Sequence, residues 1–177
     1  MSVLRKLLDK VIGDGTPSGF TGTLEKDENV VVTAEVRGGG HLVVTTLGLW
    51  VPSDAGPRRI GWHLLSKVTW GEGVLVVIEA DETGEAGDAV LLTDRTPRRY
   101  PLVDPGKLPH AVHRRVTESI RSRHHRELPG GGAWFVQRKV PGRDGIVLQV
   151  RADPGTDPDA VRTVAAEVAV KIREALQ

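Results

Sequence analysis

A chain of 177 residues with a formal charge of +1 and no cysteine suits one domain, or one with an appendage, and at this size buries roughly 70% of its unfolded surface. The missing thiols exclude disulfides, thiolate zinc sites and cysteine nucleophiles, and they fit a reducing cytoplasm. VLVVI, the longest aliphatic run, falls far short of the ~20 residues that span a bilayer. A cytoplasmic protein is therefore expected, with peripheral contact at the inner membrane face left open.

Residues 1–15 are expected to hold a short amphipathic helix. Leu4, Leu7, Leu8, Val11 and Ile12 fall on one stripe, opposite Arg5, Lys6, Asp9 and Lys10. So few residues are unstable as an isolated helix, so the stripe must be covered by the rest of the chain, by a partner or by a membrane surface. The segment lacks the unbroken apolar core of a secretory leader.

Strand signals follow. TGTLEK and NVVVTAEV flank Asp27 and Glu28 as an expected hairpin, and HLVVTT, LGLWV, RRIGW, KVTW, VLVVIEA and AVLLTD come next between Gly, Pro, Asp and Ser. Their spacing predicts an antiparallel meander that closes as a small barrel or sandwich. Glycines 38–40, and Gly71 with Gly73, read as corners, and neither Gly38–Gly40 nor Gly130–Gly132 is a phosphate loop, because the Lys-Ser/Thr ending and the strand-to-helix context are absent.

Leu108, Val112, Val116 and Ile120 then recur every four residues, predicting a helix that runs on until Pro129 and Gly130 stop it. The tail predicts a hairpin, AWFVQRKV and IVLQVRAD around PGRDG. A last helix follows, capped by Asp157, with Pro158 in its first turn and an apolar stripe through Val161, Val164, Ala165, Val168 and Ile172.

The order of strand, turn and strand in LVVTTLGLWVPSDAGPRRIGWHLLSKVTWGEGVLVVIEA, followed by another strand and a helix, resembles bacterial pleckstrin-homology-like (PH-like) domains. Thr46, Leu49, Ile60, Leu65, Val68 and Trp70 fall on that family's degenerate pattern. The chain is also similar to actinobacterial proteins of comparable length. The resemblance implies an α+β fold: a PH-like antiparallel β-barrel of about seven strands with a C-terminal helix over residues 18–127, extended by a hairpin and helix over residues 128–177. It also implies a non-catalytic platform, because that fold hosts lipid, peptide and protein ligands with no shared chemistry. In members that bind phosphoinositides the ligand loop joins the first two strands. The corresponding stretch here, EKDENV, is mostly acidic and would repel phosphate.

Charge is uneven along the chain. Residues 71–94 carry seven acids and no Lys or Arg, whereas residues 95–151 carry thirteen Lys or Arg against four acids. The expected helix would present a positive ridge through Arg114, Arg121, Arg123 and Arg126, with Lys107 at its start and His113, His124 and His125 beside it. This ridge is the leading binding surface, with Leu4, Leu7 and Leu8 as an auxiliary apolar contact. Three partners remain open. A protein partner, or self-association through the acidic segment, comes first; an anionic membrane surface is next. Nucleic acid is less favoured, because no aromatic residues interleave with the arginines to stack bases. The bland alternative is a solvated outer face.

Other constellations are weaker. Arg58 and Arg59 are neighbours on an expected strand, so they point to opposite faces and cannot share one phosphate. Trp50, Trp62 and Trp70 read as core or half-buried residues before they read as a pocket. His110 and His113 lack a third ligand on their face, so no metal and no small-molecule cofactor is expected. No G-x-S-x-G, no H-E-x-x-H and no carboxylate pair with divergent environments points to an enzyme.

Overall fold

The computed structural model describes residues 15–177. The expected N-terminal helix, with Leu4, Leu7 and Leu8, lies outside the described residues. Among the described residues, eleven strands and two helices make a sheet-rich α+β fold. The strands are β1 (Val30–Glu35), β2 (His41–Thr45), β3 (Gly48–Val51), β4 (Arg58–Gly61), β5 (Leu65–Gly71), β6 (Val74–Ala86), β7 (Ala89–Asp94), β8 (Arg98–Pro101), β9 (Ile120–Leu128), β10 (Gly131–Lys139) and β11 (Ile146–Ala152). The helices are α1 (Leu108–Ser119) and α2 (Pro158–Ala175). No helix among the described residues is long and apolar enough to cross a membrane.

Seven strands form the first body. β1-β2-β3-β4 is one antiparallel sheet, and β5, β6 and β8 belong to the second. The two sheets meet at one corner through the bridge Val36 to Leu102, where the Val103 amide donates to the Glu35 carbonyl at 3.0 Å. At another corner a single helical turn, Trp62–Leu64, joins β4 to β5. Alternation sends Leu42, Val44, Leu49, Val51, Ile60, Leu75 and Val77 inward, and Leu108 and Val112 of α1 complete the same core with 0% exposure each. Trp62 lies within it. Trp50 is also buried, whereas Trp70 stays exposed.

The tight corners follow from backbone freedom. Gly71 pairs with Val74 across a two-residue turn, with φ of +52° at Glu72 and +77° at Gly73. Positive φ at both central residues suits the right-handed strand twist, and glycine takes it without strain.

The second body grows out of the first along β6. Its thirteen residues pair with β5 and β8 through the first half and with β7 through the second. β7 then pairs in parallel with β11, and β10 and β9 complete the sheet. Helix α2 covers one face, with Val161, Ala165 and Ala169 against Ala89, Ala133, Phe135, Leu148 and Val150. Asp157 caps it as expected, accepting the Asp159 amide at 2.9 Å.

Three expectations need correction. Residues 21–26, TGTLEK, form no strand. The chain there is held as a turn, with the Glu28 amide donating to the Glu25 carbonyl at 3.1 Å while the Glu28 side chain turns inward. The first hairpin is therefore β1–β2, and its loop is Arg37 with Gly38, Gly39 and Gly40, not the acidic EKDENV stretch.

The second correction bears on the binding surface. α1 ends at Ser119, and Ile120 is already extended, with φ of −93° and ψ of 119°. The stretch IRSRHHREL is β9, an edge strand paired with β10. Pairing with the apolar strand GGAWFVQRK overrides a local pattern that is compatible with helix.

The third concerns the appended unit. The expected boundary at residues 127/128 falls at the turn between β9 and β10. The extension is three strands and a helix, joined to β7.

Candidate functional site

The four arginines of the expected ridge do not form one. Arg114 sits on α1, where its Nε donates to Glu118 Oε1 at 2.7 Å, one helical turn on. Arg121, Arg123 and Arg126 lie on β9, with Arg121 at the irregularity in its pairing with β10 and Arg123 and Arg126 on opposite faces of the sheet. Arg123 and His125 share the face of Trp134, whereas Arg126 pairs in register with Ala133 on the other face. Arg123 stacks over the Trp134 ring at 4.5 Å, and His125 meets that ring edge-on while bonding Asp153 at 2.6 Å. Successive charged residues on an exposed edge strand also block pairing with another sheet.

The acidic segment is largely neutralised within the chain. Glu79 takes a bidentate pair from Arg58 at 2.8 Å for each contact, Asp81 pairs with Arg95, Asp88 with Arg173 and Asp94 with Arg151 at 3.6 Å. Arg59, next to Arg58, points the other way, to Glu25 at 2.6 Å and Glu28 at 2.7 Å. The two neighbours thus serve opposite faces, as strand geometry requires.

Cations do converge on one groove, between β1 and α1. It has a volume of about 370 Å³ and is lined by Val31, Val32, Lys107, His110, Ala111, Arg114, Arg115 and Glu118. Val31, Val32 and Ala111 make an apolar floor, and Val31 is 47% exposed. Lys107, His110, Arg114 and Arg115 come from successive turns of α1 on the side facing β1. The one acid, Glu118, is engaged by Arg114, and the Arg114 bond holds its carboxyl below the ordinary value. Lys107 and Arg115 form no ion pair among the described residues. Sequence reasoning found Arg114 and Lys107 but missed Arg115 and the valines. Helical spacing from Ala111 to Arg115 was the available signal.

A larger cleft, of about 600 Å³, lies where the first body meets the second, lined among others by Glu25, Arg59, His63, Glu82, Glu85 and Arg143. Acids and a histidine converge there, so acid–base chemistry has to be tested against the geometry. His63 forms no ion pair with any of these acids, and its Nδ1 is buried without a hydrogen-bond partner. Burial, reinforced by Arg138 and Arg143, lowers its pKa to about 4 from 6.5. Such a ring is neutral at neutral pH and lacks the orienting carboxylate of an acid–base pair. Among the described residues no three His, Asp or Glu side chains gather as metal ligands.

The depressed histidine does have a consequence for stability. Between pH 6.5 and about 4 the unfolded chain takes up a proton at His63 that the folded chain refuses, so stability falls as pH drops through that window. Moving from pH 8 to pH 5 should remove about 2 kcal/mol through this residue. Urea titrations at both values should show the loss, and His63→Phe should flatten that part of it. An unchanged pH dependence in the variant would contradict this account.

Comparison with protein-family models, with curated proteins and with solved structures finds no match for this chain.

Proposed function

We propose that this chain is a non-catalytic binding module of PH-like fold that docks an acidic protein segment in the groove between β1 and α1. The carrying observation is the set of cations along α1 and at its N-cap, of which Lys107 and Arg115 form no ion pair among the described residues, placed along an apolar floor with an exposed valine. Unpaired charge beside exposed apolar surface suits a partner that brings carboxylates and β-branched or aliphatic side chains together. The PH-like assignment is supported by seven strands in two sheets whose core is completed by a helix that follows them in sequence. The non-catalytic reading is supported by the cleft of about 600 Å³, whose histidine has no acid partner among the described residues.

Fluorescence anisotropy with a labelled eight-residue peptide of alternating Glu and Val tests the reading against the matching Lys and Val peptide. The acidic peptide should bind and the basic one should not, with affinity falling about tenfold or more between low and high salt. The double substitution Arg114→Glu and Arg115→Glu should abolish binding while leaving the melting temperature within a few degrees. Equal binding of both peptides would reject the proposal. Binding of anionic vesicles without any peptide binding would transfer the surface to lipid.

A further inference from the structure

Resting on that reading of the groove, we infer that the acidic segment binds as an extended strand added to the free edge of β1, with its carboxylates against α1. Five strands have a sheet neighbour on one side only: β1, β4, β5, β8 and β9. Proteins blunt such edges with Lys, Arg or Pro, because unpaired main-chain groups invite a further strand. β4 carries Arg58 and Arg59, β5 carries Lys67, β8 carries Arg98, Arg99 and Pro101, and β9 carries Arg121, Arg123 and Arg126. β1 reads VVVTAE and carries none of them.

The main chain shows where such an edge is open. The Val36 amide donates to Gly40 within the first hairpin, so antiparallel alternation turns Ala34 and Val32 toward β2 and turns Glu35 and Thr33 away from it. Glu35 is already used, because its carbonyl accepts the Val103 amide at 3.0 Å. Among the described residues, no strand continues along β1 beyond the Val36 to Leu102 bridge. Thr33 is the next outward position, so both its main-chain groups point away from β2. The irregularity between Val30 and Val32 bounds this stretch and leaves Val31 exposed. A bulge there limits pairing to a few residues instead of licensing open-ended aggregation.

Side-chain chemistry favours an acidic strand over other occupants. Lys107 and Arg115 are eight residues apart, about 12 Å of helix rise, close to the roughly 13 Å between residues i and i+4 of a strand. A strand with acids at every second position can therefore meet both cations on one face, while its alternate apolar residues turn to the opposite face, away from α1. Main-chain bonds would supply the anchoring and side-chain pockets the selectivity.

The test uses the full chain and the Glu-Val peptide in two further forms, each N-methylated at alternate residues so that one edge or the other loses its amides. One form should bind like the parent, and the other should weaken by at least about tenfold. Thr33→Pro removes an outward amide, a position that tolerates proline on an edge strand, and should weaken the parent peptide to a similar degree with unchanged circular dichroism. If that variant fails to fold, the methylated peptides decide alone. Equal binding of both methylated forms, with binding still abolished by Arg114→Glu and Arg115→Glu, overturns strand addition and leaves the groove reading intact. Failure of the parent peptide to bind overturns both.

Discussion

Replacing Glu28 with alanine should destabilise the fold by about 3–5 kcal/mol, the range for breaking a buried ion pair by removing one partner. Its side chain is fully buried, and both carboxylate oxygens are occupied. Oε1 accepts the Thr45 hydroxyl at 2.6 Å and Trp50 Nε1 at 2.9 Å, and Oε2 accepts Arg59 at 2.7 Å and the Glu25 amide at 3.0 Å. Removing the carboxylate strands a buried indole N–H, takes the best acceptor from the Thr45 hydroxyl, which keeps the Gly48 carbonyl at 3.2 Å, and removes one of the two carboxylates on Arg59, which keeps Glu25. It also frees the turn that precedes β1, where Phe20 meets Trp50 edge-on at 5.4 Å. Glu28→Gln keeps the shape and part of the bonding but takes the buried one of the two counter-charges from Arg59, so an intermediate loss is expected. Urea denaturation at pH 7 orders the three proteins, and a loss below about 1 kcal/mol for alanine would contradict the buried hub.

The same residue makes an acid-sensitive contribution. Burial pushes the Glu28 pKa upward, but bonds from Thr45, the Glu25 amide and Trp50, with the Arg59 charge, outweigh it and hold the carboxyl below 4.5. Its contribution is thus fully present above pH 4.5 and is lost as pH falls through the depressed folded value. Glu28→Gln should remove that portion of the acid dependence, which lies below the window of His63 and can be separated from it.

Much of the architecture is written locally. β2, β3 and the first half of β6 show as short apolar runs between turn residues, the last helix announces itself through Asp157-Pro158, and Arg58 and Arg59 part company as strand neighbours must. What was illegible depends on partners far along the chain. Glu28 sits in a run of Lys, Asp, Glu and Asn that reads as a solvated turn, and nothing near it tells that Thr45, Trp50 and Arg59 will converge on it. The stretch after Ser119 kept apolar residues at Ile120 and Leu128, but the position of that stripe between them, His124, is polar. That break was the available sign of a helix already finished. The candidate groove was half legible for the same reason. Its cations on α1 follow from spacing, whereas β1 becomes a wall only because TGTLEK does not pair with it. Strand order, not strand propensity, decides which edge stays open.

Arg138→Ala should cost about 3 kcal/mol or more, through lost hydrogen bonds at a buried site. Arg138 leaves β10 and is 4% exposed. Its Nε donates to the Ser119 hydroxyl at 2.9 Å, and one terminal nitrogen donates to the carbonyls of Trp62 at 2.9 Å and Leu65 at 2.8 Å. One guanidinium thus ties the end of α1 and the corner of the first body to the second sheet, with Gln149 adding a bond to the His63 carbonyl at 2.8 Å. No carboxylate among the described residues pairs with it, and burial, with Arg151 second, lowers its pKa to about 10. The group therefore stays charged at neutral pH, held by two carbonyls and a hydroxyl. Two opposing terms follow: alanine relieves the desolvated charge, but it removes three bonds and most of the side-chain volume. Methionine separates them, because it also drops the charge and the bonds yet fills the space. A loss for Arg138→Met well below that for alanine assigns most of the damage to the cavity, and equal losses assign it to the hydrogen bonds. Stability of Arg138→Ala within about 1 kcal/mol of the parent protein would show that the junction holds without this strut.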